Sequence, residues 1–211
     1  MIKMKQITTK DGSVTFHNEK YDDIYHSVSG AIEESQKKFI EPCNIRSGMK
    51  ILDICFGIGY NSLMAIHKTK ELDIIGIEKD ENILQKTLEV EVPEKLQKDY
   101  EFIKAAVEQG ELIINDLRIN LIVGDALDII ENLEDNQFDA VFLDPFSPKK
   151  NPELWTENFF KQIYRVMKKG AKLATYSCAR AVRDNLQKAG FKTQDVPPVG
   201  RRAPSTLAIK I

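Results

Sequence analysis

The sequence predicts a single α/β domain with a mostly parallel sheet, helices on both faces and an antiparallel hairpin at the C-terminal end. First, the chain has 211 residues, a length that suits one domain with a short extension. Second, buried-strand patterns alternate with helical patterns from Lys50 onward, as in a parallel sheet with crossover helices. Third, the last two strand patterns are separated only by the turn at 197–202, without an intervening helix.

Residues 1–45 are predicted to form an N-terminal extension that packs on the core, and residues 46–211 form the α/β domain. Within the extension, residues 6–16 read as a hairpin with a type I′ turn at Asp11-Gly12, the residue pair that this turn favours. Residues 29–41 have a helical pattern that should end before Pro42.

The core elements follow in order along the chain. Strands are expected at 51–56, 73–77, 121–123, 139–143, 172–176, 191–196 and 205–211. Helices are expected at 61–70, after Glu78, from Pro93 to about residue 109, and at 127–133, 153–168 and 179–189. Gly170 and Gly190 are expected to stop the helices that precede them.

The composition favours a cytoplasmic protein without a membrane segment or a metal site. No stretch approaches the roughly 18 to 20 apolar residues that span a bilayer. Neither the cysteines nor the histidines show metal-ligand spacing, and the cysteines read as reduced thiols. These residues are Cys43, Cys55, Cys178, His17, His26 and His67.

The net charge of −2 conceals a strong asymmetry along the chain. Residues 71–139 hold 19 Asp and Glu against 6 Lys and Arg, whereas residues 140–211 hold 14 Lys and Arg against 5 Asp and Glu. The basic C-terminal third is compatible with a polyanionic partner, and equally with an unevenly charged solvated surface.

A glycine turn follows the first core strand, where Gly57-Ile58-Gly59 leads into a helix. Glycines at such a turn let a ligand approach the backbone, although they also serve tight turns in many α/β proteins. Ser62 stands where the dinucleotide pattern G-x-G-x-x-G has its third glycine. We therefore expect a ligand without phosphates rather than a pyrophosphate.

Acidic residues end the next two strands. Glu78 is placed to accept hydrogen bonds from ribose hydroxyls, with Asp80 as the alternative, unless Glu78 is an exposed loop acid. Asp125 is placed either to accept from an adenine amino group or to cap the helix that follows it. Because strand C-termini meet at one edge of an open α/β sheet, together they predict an adenosine ligand such as S-adenosylmethionine.

The loop Asp144-Pro145-Phe146-Ser147-Pro148 follows the fourth strand and carries the candidate catalytic residues Asp144 and Phe146. Its prolines fix φ, so the loop can hold a carboxylate and an aromatic face beside a reacting methyl group. Amine methyltransferases use a related loop, in which the side-chain oxygen orients the amine. The other interpretation is a capping Asp before a proline-rich turn.

Several segments resemble the methyltransferase half of the bacterial tRNA-modifying MnmC family, over nearly the whole chain. They are residues 9–15, 25–31, 55–61, 144–155, 174–177 and 200–202, and the block D-P-F-S-P…P-E-L-W is the most specific of them. The resemblance implies the class I S-adenosylmethionine-dependent methyltransferase form of the Rossmann-like fold, with its C-terminal hairpin. It further implies methylation of 5-aminomethyl-2-thiouridine at the tRNA wobble position. No obligate protein partner is evident from the sequence.

The resemblance also implies roles for individual residues. The cofactor would be bound by Gly57, Gly59, Asn61, Glu78, Asp125, Asp144 and Glu34, with Glu33 as the alternative to Glu34. Phe146 would pack on the target base with Asp144 beside it. Tyr25 and His26 would line the substrate side, and the other interpretation is ordinary packing ahead of a helix. The tRNA anticodon region would contact Lys149, Arg201 and Arg202. The sequence contains no second Rossmann glycine fingerprint besides the turn at 57–59, so we expect neither FAD binding nor oxidase activity.

Three other functions stay open from the sequence. A polyamine aminopropyltransferase shares the fold, but its substrate pocket should be acidic, whereas the C-terminal third is basic. A small-molecule N-methyltransferase would not need that basic region. A binding module with an inactive site would not need Asp144 and Phe146.

Overall fold

The structure, a computed structural model, describes residues 4–211; residues 1–3 of the predicted extension lie outside this range. The strands are β1 (Met4–Thr8), β2 (Val14–Asn18), β3 (Asp23–Ile24), β4 (Met49–Ile54), β5 (Leu72–Glu78), β6 (Glu111–Ile114), β7 (Leu117–Val123), β8 (Phe138–Leu143), β9 (Met167–Thr175), β10 (Phe191–Val196) and β11 (Ser205–Lys210). The helices are α1 (Ala31–Ser35), α2 (Glu41–Cys43), α3 (Tyr60–Lys68), α4 (Glu81–Glu89), α5 (Glu94–Gln109), α6 (Ala126–Glu131), α7 (Glu157–Val166) and α8 (Arg180–Lys188).

The central sheet has eight strands in the order β10-β11-β9-β8-β4-β5-β7-β6. The five strands from β9 to β7 run parallel, whereas β11 pairs antiparallel with β9 and β10 pairs antiparallel with β11. The order reverses at β4, whose neighbours are β8 and β5. The predicted α/β fold with a mostly parallel sheet and a C-terminal antiparallel hairpin is confirmed, and ligands bind such sheets where the order reverses.

The apolar core lies on both faces of this sheet. One cluster is built around β4, β5 and β7 with α3, α5 and the N-terminal hairpin, and includes Phe16, Tyr60 and Tyr100. The other lies under α6, α7 and α8 and includes Phe138 and Phe160. No helix in residues 4–211 is long and apolar enough to cross a bilayer.

The N-terminal hairpin forms as predicted, but its turn differs. Thr8 pairs with Val14, so the loop has five residues and the type I′ prediction is wrong. Within this loop only Gly12 has a positive φ, whereas a type I′ turn needs one at both central residues. Oδ1 of Asp11 accepts hydrogen bonds from Thr9 and Ser13. The Tyr60 hydroxyl donates to the Val14 carbonyl and accepts from the Val14 amide, both at 3.0 Å, which fixes the hairpin to the core.

The predicted helix at 29–41 runs further than expected, through Pro42 to Cys43. Residues Gln36–Ile40 form a π-helical turn between α1 and α2. In this turn the Glu41 amide, directly before Pro42, donates to the Gln36 carbonyl five residues back. Asn44, in the left-handed conformation, ends the helix instead.

Two other boundaries were predicted wrongly. The expected strand at 121–123 begins at Leu117 and pairs with an additional antiparallel strand, β6, through the turn at Asn115-Asp116. The expected helix at 153–168 is a 3₁₀ turn (Pro152–Trp155) followed by α7, and β9 begins at Met167. Gly170 therefore lies within β9, and Thr156 caps α7 by accepting from the Phe159 amide.

Candidate active site

A cavity of about 300 Å³ lies at the carboxyl ends of the parallel strands, covered by the segment that joins β2 to α1. Of the predicted site residues, those in its lining are Tyr25, His26, Glu34, Glu78, Asp125, Asp144, Phe146 and Arg201. Gly57, Gly59, Asn61, Lys149 and Arg202 are outside the lining. Six carboxylates line the cavity: Asp23, Glu34, Glu78, Asp80, Asp125 and Asp144.

Glu78 ends β5 and is bonded to the glycine turn. Its Oε2 accepts from the Gly57 amide at 2.9 Å, and its Oε1 accepts from the amides of Lys79 and Asp80 at 2.9 and 2.8 Å. Burial raises the pKa of Glu78, and these amide donors oppose that rise. The Gly57 amide is thus already bonded within the protein, so it is not free to hold a pyrophosphate oxygen.

The two glycines shape the turn behind the cavity wall. Gly57 and Gly59 have φ values of +57° and +81°, which favour glycine. A Cβ at Gly59 would come within 2.8 Å of the side chains of Phe56 and Ile103, so close packing also requires glycine there. A Cβ at Gly57 would lie 3.4 Å from the Tyr25 ring.

Asp125 caps the helix that follows it, and it also lines the cavity. At this N-cap of α6, its Oδ1 accepts from the Leu127 amide at 3.0 Å. Its Oδ2 accepts from Nζ of Lys79 at 3.2 Å. Asp80, the alternative to Glu78, caps α4 and lines the cavity as well.

Glu34, rather than Glu33, faces the cavity from α1. Its Oε2 accepts from the Ser27 amide at 3.1 Å, and its Oε1 forms an ion pair with the nearly buried Lys38 one turn later. Burial acts to raise the pKa of Glu34, but Lys38 and the Ser27 amide outweigh it and lower the pKa. Glu33 is exposed and lies outside the lining.

Asp144 follows β8, and its carboxylate accepts from Nδ2 of Asn61 at 3.0 Å. Burial raises the pKa of Asp144 to about 7, against the opposing effect of the Asn61 amide. The backbone carbonyl of Phe146 accepts from Nε1 of Trp155 at 3.0 Å, which ties the loop to the 3₁₀ turn. A carboxylate that titrates near neutrality, on a braced loop, can orient a nitrogen nucleophile and exchange a proton with it.

Aromatic rings surround Phe146. Its ring centroid lies 4.7 Å from that of Tyr21 and 5.0 Å from that of Tyr25. The Tyr25 hydroxyl donates to Oδ2 of Asp80 at 3.2 Å and accepts from Nδ2 of Asn18 at 3.1 Å. Burial, together with the charges of Glu78 and Asp80, raises the pKa of Tyr25 against the Asn18 bond, so the hydroxyl stays neutral.

His26 lies beside this aromatic group. Burial lowers the pKa of His26 to about 4, so the ring is neutral at physiological pH. Its ring packs edge-on against Tyr60 at 5.3 Å between centroids. His26 thus presents an uncharged ring to the cavity.

The three cations that the sequence assigned to the substrate differ in position. Arg201 is exposed at the cavity, but its guanidinium donates to the main-chain carbonyls of Tyr176, Ala203 and Pro204. Arg201 therefore braces the turn between β10 and β11. Lys149 and Arg202 are exposed and form no salt bridge within residues 4–211.

Lining residues that were not singled out from the sequence include Tyr21, Lys38 and Tyr176. Lys38 follows Glu34 by four residues, a spacing that indicates an ion pair on one helix face. Tyr176 directly follows β9, the same position at its strand that Asp144 has at β8. Tyr21 lies in a short connection between β2 and β3, where no sequence pattern indicates a site.

Comparison with known proteins defines the class. The sequence model for S-adenosyl-L-methionine-dependent methyltransferases matches residues 88–211, more than half of the chain. The crystal structure of MnmC2 from Aquifex aeolicus superposes with a TM-score of 0.89 and 33% identity, covering 99% of this chain and 70% of that one. The chain thus belongs to the S-adenosyl-L-methionine-dependent methyltransferases, and among them to the MnmC methyltransferase family.

Two curated relatives are similar over most of this chain. A tRNA 5-methylaminomethyl-2-thiouridine biosynthesis bifunctional protein, MnmC, from Leptospira interrogans is 30% identical over 92% of the chain. An uncharacterized protein of Methanocaldococcus jannaschii is 36% identical over 97% of it. The chain spans 33% of the first relative's length and 59% of the second's.

The side chains of the cavity fit S-adenosylmethionine. This molecule carries a positive sulfonium, an ammonium group and two ribose hydroxyl donors, and the six carboxylates can receive each of them. It has no phosphate, in agreement with a glycine turn whose Gly57 amide bonds to Glu78. Among residues 4–211, no three His, Cys, Asp or Glu side chains gather as metal ligands.

Proposed function

We propose that this chain transfers a methyl group from S-adenosylmethionine to the aminomethyl nitrogen of 5-aminomethyl-(2-thio)uridine at the tRNA wobble position. The observation that carries the proposal is that the Asp144 carboxyl and the Phe146 ring, both on the loop after β8, line the same acidic cavity. Curated MnmC relatives are named for biosynthesis of 5-methylaminomethyl-2-thiouridine in tRNA, which supports this substrate.

The proposed cofactor contacts follow from the positions of the acids. Glu34 binds the amino group of the methionine moiety, Glu78 binds the ribose hydroxyls and Asp125 binds the adenine amino group. Gly57 and Gly59 shape the turn that supports Glu78. The bound molecule supplies an electrophilic methyl group on its sulfonium.

The proposed chemistry depends on Asp144. An alkylammonium resembles Lys, with a pKa near 10.4, and only the neutral amine is a nucleophile. The Asp144 carboxylate accepts a hydrogen bond from the amine, which fixes the direction of its lone pair. Because its pKa is raised to about 7, Asp144 is also a better proton acceptor than an ordinary carboxylate. The neutral His26 ring adds no competing positive charge.

Recognition of the base and the tRNA involves different groups. Phe146 packs on the base plane, and a base that is stacked in the anticodon loop has to leave the stack to reach it. Tyr25 and His26 line the same side. Lys149 and Arg202, exposed on loops next to lining residues, contact tRNA phosphates. Arg201 shapes the turn between β10 and β11, which carries Arg202.

Nucleoside analysis tests the proposal. The protein is incubated with labelled S-adenosylmethionine and tRNA from cells that accumulate the aminomethyl base, and the digested nucleosides are separated. We expect label in the methylaminomethyl nucleoside, and none in matched tRNA whose wobble uridine is unmodified. Label in a different nucleoside, or none in tRNA while cofactor binds normally, contradicts the proposal.

A further inference from the structure

We infer that Asn61 is a positioning residue: it holds the Asp144 carboxylate from beneath the cavity rather than contacting the cofactor. The hydrogen bond itself is a property of the free protein. Its effect on turnover rests on the proposed function.

The geometry separates Asn61 from the cavity. Asn61 lies on the first turn of α3, is 4% exposed and is not part of the lining. Its Nδ2 donates to Oδ2 of Asp144 at 3.0 Å. Within residues 4–211, no other side chain donates a hydrogen bond to the Asp144 carboxylate. The main chain of Asp144 is fixed separately, since its amide donates to the Ile54 carbonyl at 3.2 Å.

The side-chain oxygen of Asn61 indicates that this residue is kept for its hydrogen bond to Asp144 rather than for stability. Its Oδ1 is buried and has no hydrogen-bond partner among the described residues. A buried, unpaired carbonyl oxygen is destabilising, and an apolar side chain of similar shape would avoid that cost. Turning the amide over would place this oxygen against the Asp144 carboxylate. Within residues 4–211, the side-chain hydrogen bond that Asn61 makes is therefore its donation to Asp144.

The neighbouring residue provides an internal comparison. Ser62, also on the first turn of α3, donates its hydroxyl to Oδ2 of Asp53 at 2.7 Å. Asp53 is fully buried in β4 and outside the lining. Consecutive residues of one helix thus hold two carboxylates, of which only Asp144 faces the cavity.

Several charged or titratable groups from the adjoining elements act on Asp144 or are acted on by it. They are Glu34 of α1, Lys38 of the π turn, Asp53 and Cys55 at the end of β4, and Tyr176 after β9. The Asn61 amide is uncharged, so its removal changes the titration of Asp144 without removing any of these charges.

The test measures the titration of Asp144 directly. Carboxyl-carbon NMR of the free protein is recorded against pH for wild type, Asn61→Leu and Ser62→Ala. Loss of a hydrogen bond to a carboxylate should raise the pKa of Asp144 by about one unit or more in Asn61→Leu. Ser62→Ala should not raise it. The pH profile of kcat should shift to alkaline pH with it, while affinity for S-adenosylmethionine stays near wild type.

The Asn61 amide resonances and the cofactor affinity provide two further measurements. If Asn61→Leu does not fold, the side-chain amide resonances of wild-type Asn61 must still follow the titration of Asp144. An unchanged Asp144 titration in folded Asn61→Leu, or Asn61 resonances insensitive to it, overturns the inference. So does a large loss of cofactor affinity at normal kcat. Absence of tRNA methylation by wild type contradicts the proposed function instead, since the free-protein titration does not depend on it.

Discussion

The backbone amide of Gly57 donates a hydrogen bond to Oε2 of Glu78 across 2.9 Å, joining the turn after β4 to the end of β5. The same carboxylate accepts from two further amides through Oε1. Glu78 is therefore held in one orientation at the cavity before any ligand binds. A pre-oriented acceptor loses little freedom on binding, so its hydrogen bonds contribute more fully to affinity.

Replacing Glu78 by Ala should weaken S-adenosylmethionine binding at least ~10-fold, because hydrogen bonds to a charged acceptor are lost. Titration calorimetry with the cofactor or its demethylated product measures the change. Glu33→Ala, an exposed acid on α1, is the matched control and should bind as wild type. A folded Glu78→Ala variant with unchanged affinity, or tight NAD binding by wild type, contradicts this assignment.

Folding stability should fall as pH rises, because of Asp53. Burial raises its pKa to about 8, despite the Ser62 hydrogen bond, and an unfolded Asp titrates near 3.8. A raised folded pKa means that the neutral form is favoured, so the stabilisation is complete below about pH 4 and is lost as pH rises to about 8. The slope from one such group cannot exceed ~1.4 kcal/mol per pH unit.

Urea unfolding of wild type and Asp53→Asn between pH 5 and 8.5 checks this expectation. Asn keeps an oxygen that accepts from Ser62 but cannot ionise, so its stability should vary less with pH. Parallel pH dependences for the two proteins would show that Asp53 does not ionise differently on folding.

Binding of tRNA should be electrostatic and should depend on Lys149 and Arg202. The double variant Lys149→Ala, Arg202→Ala should lower affinity and reduce the salt slope by roughly one to two, as expected for two lost phosphate contacts. Filter binding over a salt series measures both. The control is Lys95→Ala, Lys98→Ala, which removes two exposed cations from α5. Equal effects of the two double variants would refute a defined tRNA-binding face.

The sequence predicted the sheet because its parallel strands are short, apolar and bounded by glycines and acids, as at Ile51 to Gly57. It did not predict β6, whose exposed Ile113 and Ile114 lie at the sheet edge without the alternation that marks a half-buried strand. The π turn before Pro42 was likewise not predictable, because it is defined by hydrogen-bond geometry rather than by residue type.

Within the site, acids at strand ends were predictable from position alone, as Glu78 and Asp125 show. Tyr21 was not, since its contact with the Phe146 ring depends on how the N-terminal segment folds over the cavity. The charge of the C-terminal third did not predict the charge of the cavity. Six carboxylates line the cavity although the C-terminal third is basic, so chain charge does not separate this protein from polyamine enzymes. The family match at 33% identity distinguishes them instead.

Replacing Asp144 by Ala should reduce the methylation rate at least ~100-fold while cofactor affinity stays nearly intact, because a positioning and electrostatic group is lost. Single-turnover assays with saturating tRNA and cofactor measure the rate. Asp144→Asn separates charge from geometry, since it keeps an acceptor oxygen in place. Wild-type activity should rise through pH 7 as Asp144 ionises, and further as the amine becomes neutral. Near-normal turnover by Asp144→Ala would make this loop only a structural turn.

The central claim is that an aminomethyl nitrogen in tRNA is the methyl acceptor. The most direct measurement offers wild-type protein three acceptors in parallel with labelled S-adenosylmethionine: tRNA carrying the aminomethyl base, the same tRNA with unmodified uridine, and putrescine. Mass spectrometry of the products should find one added methyl group, on the aminomethyl nucleoside alone. Methylation of unmodified tRNA or of putrescine, with the aminomethyl tRNA unchanged, would contradict the account.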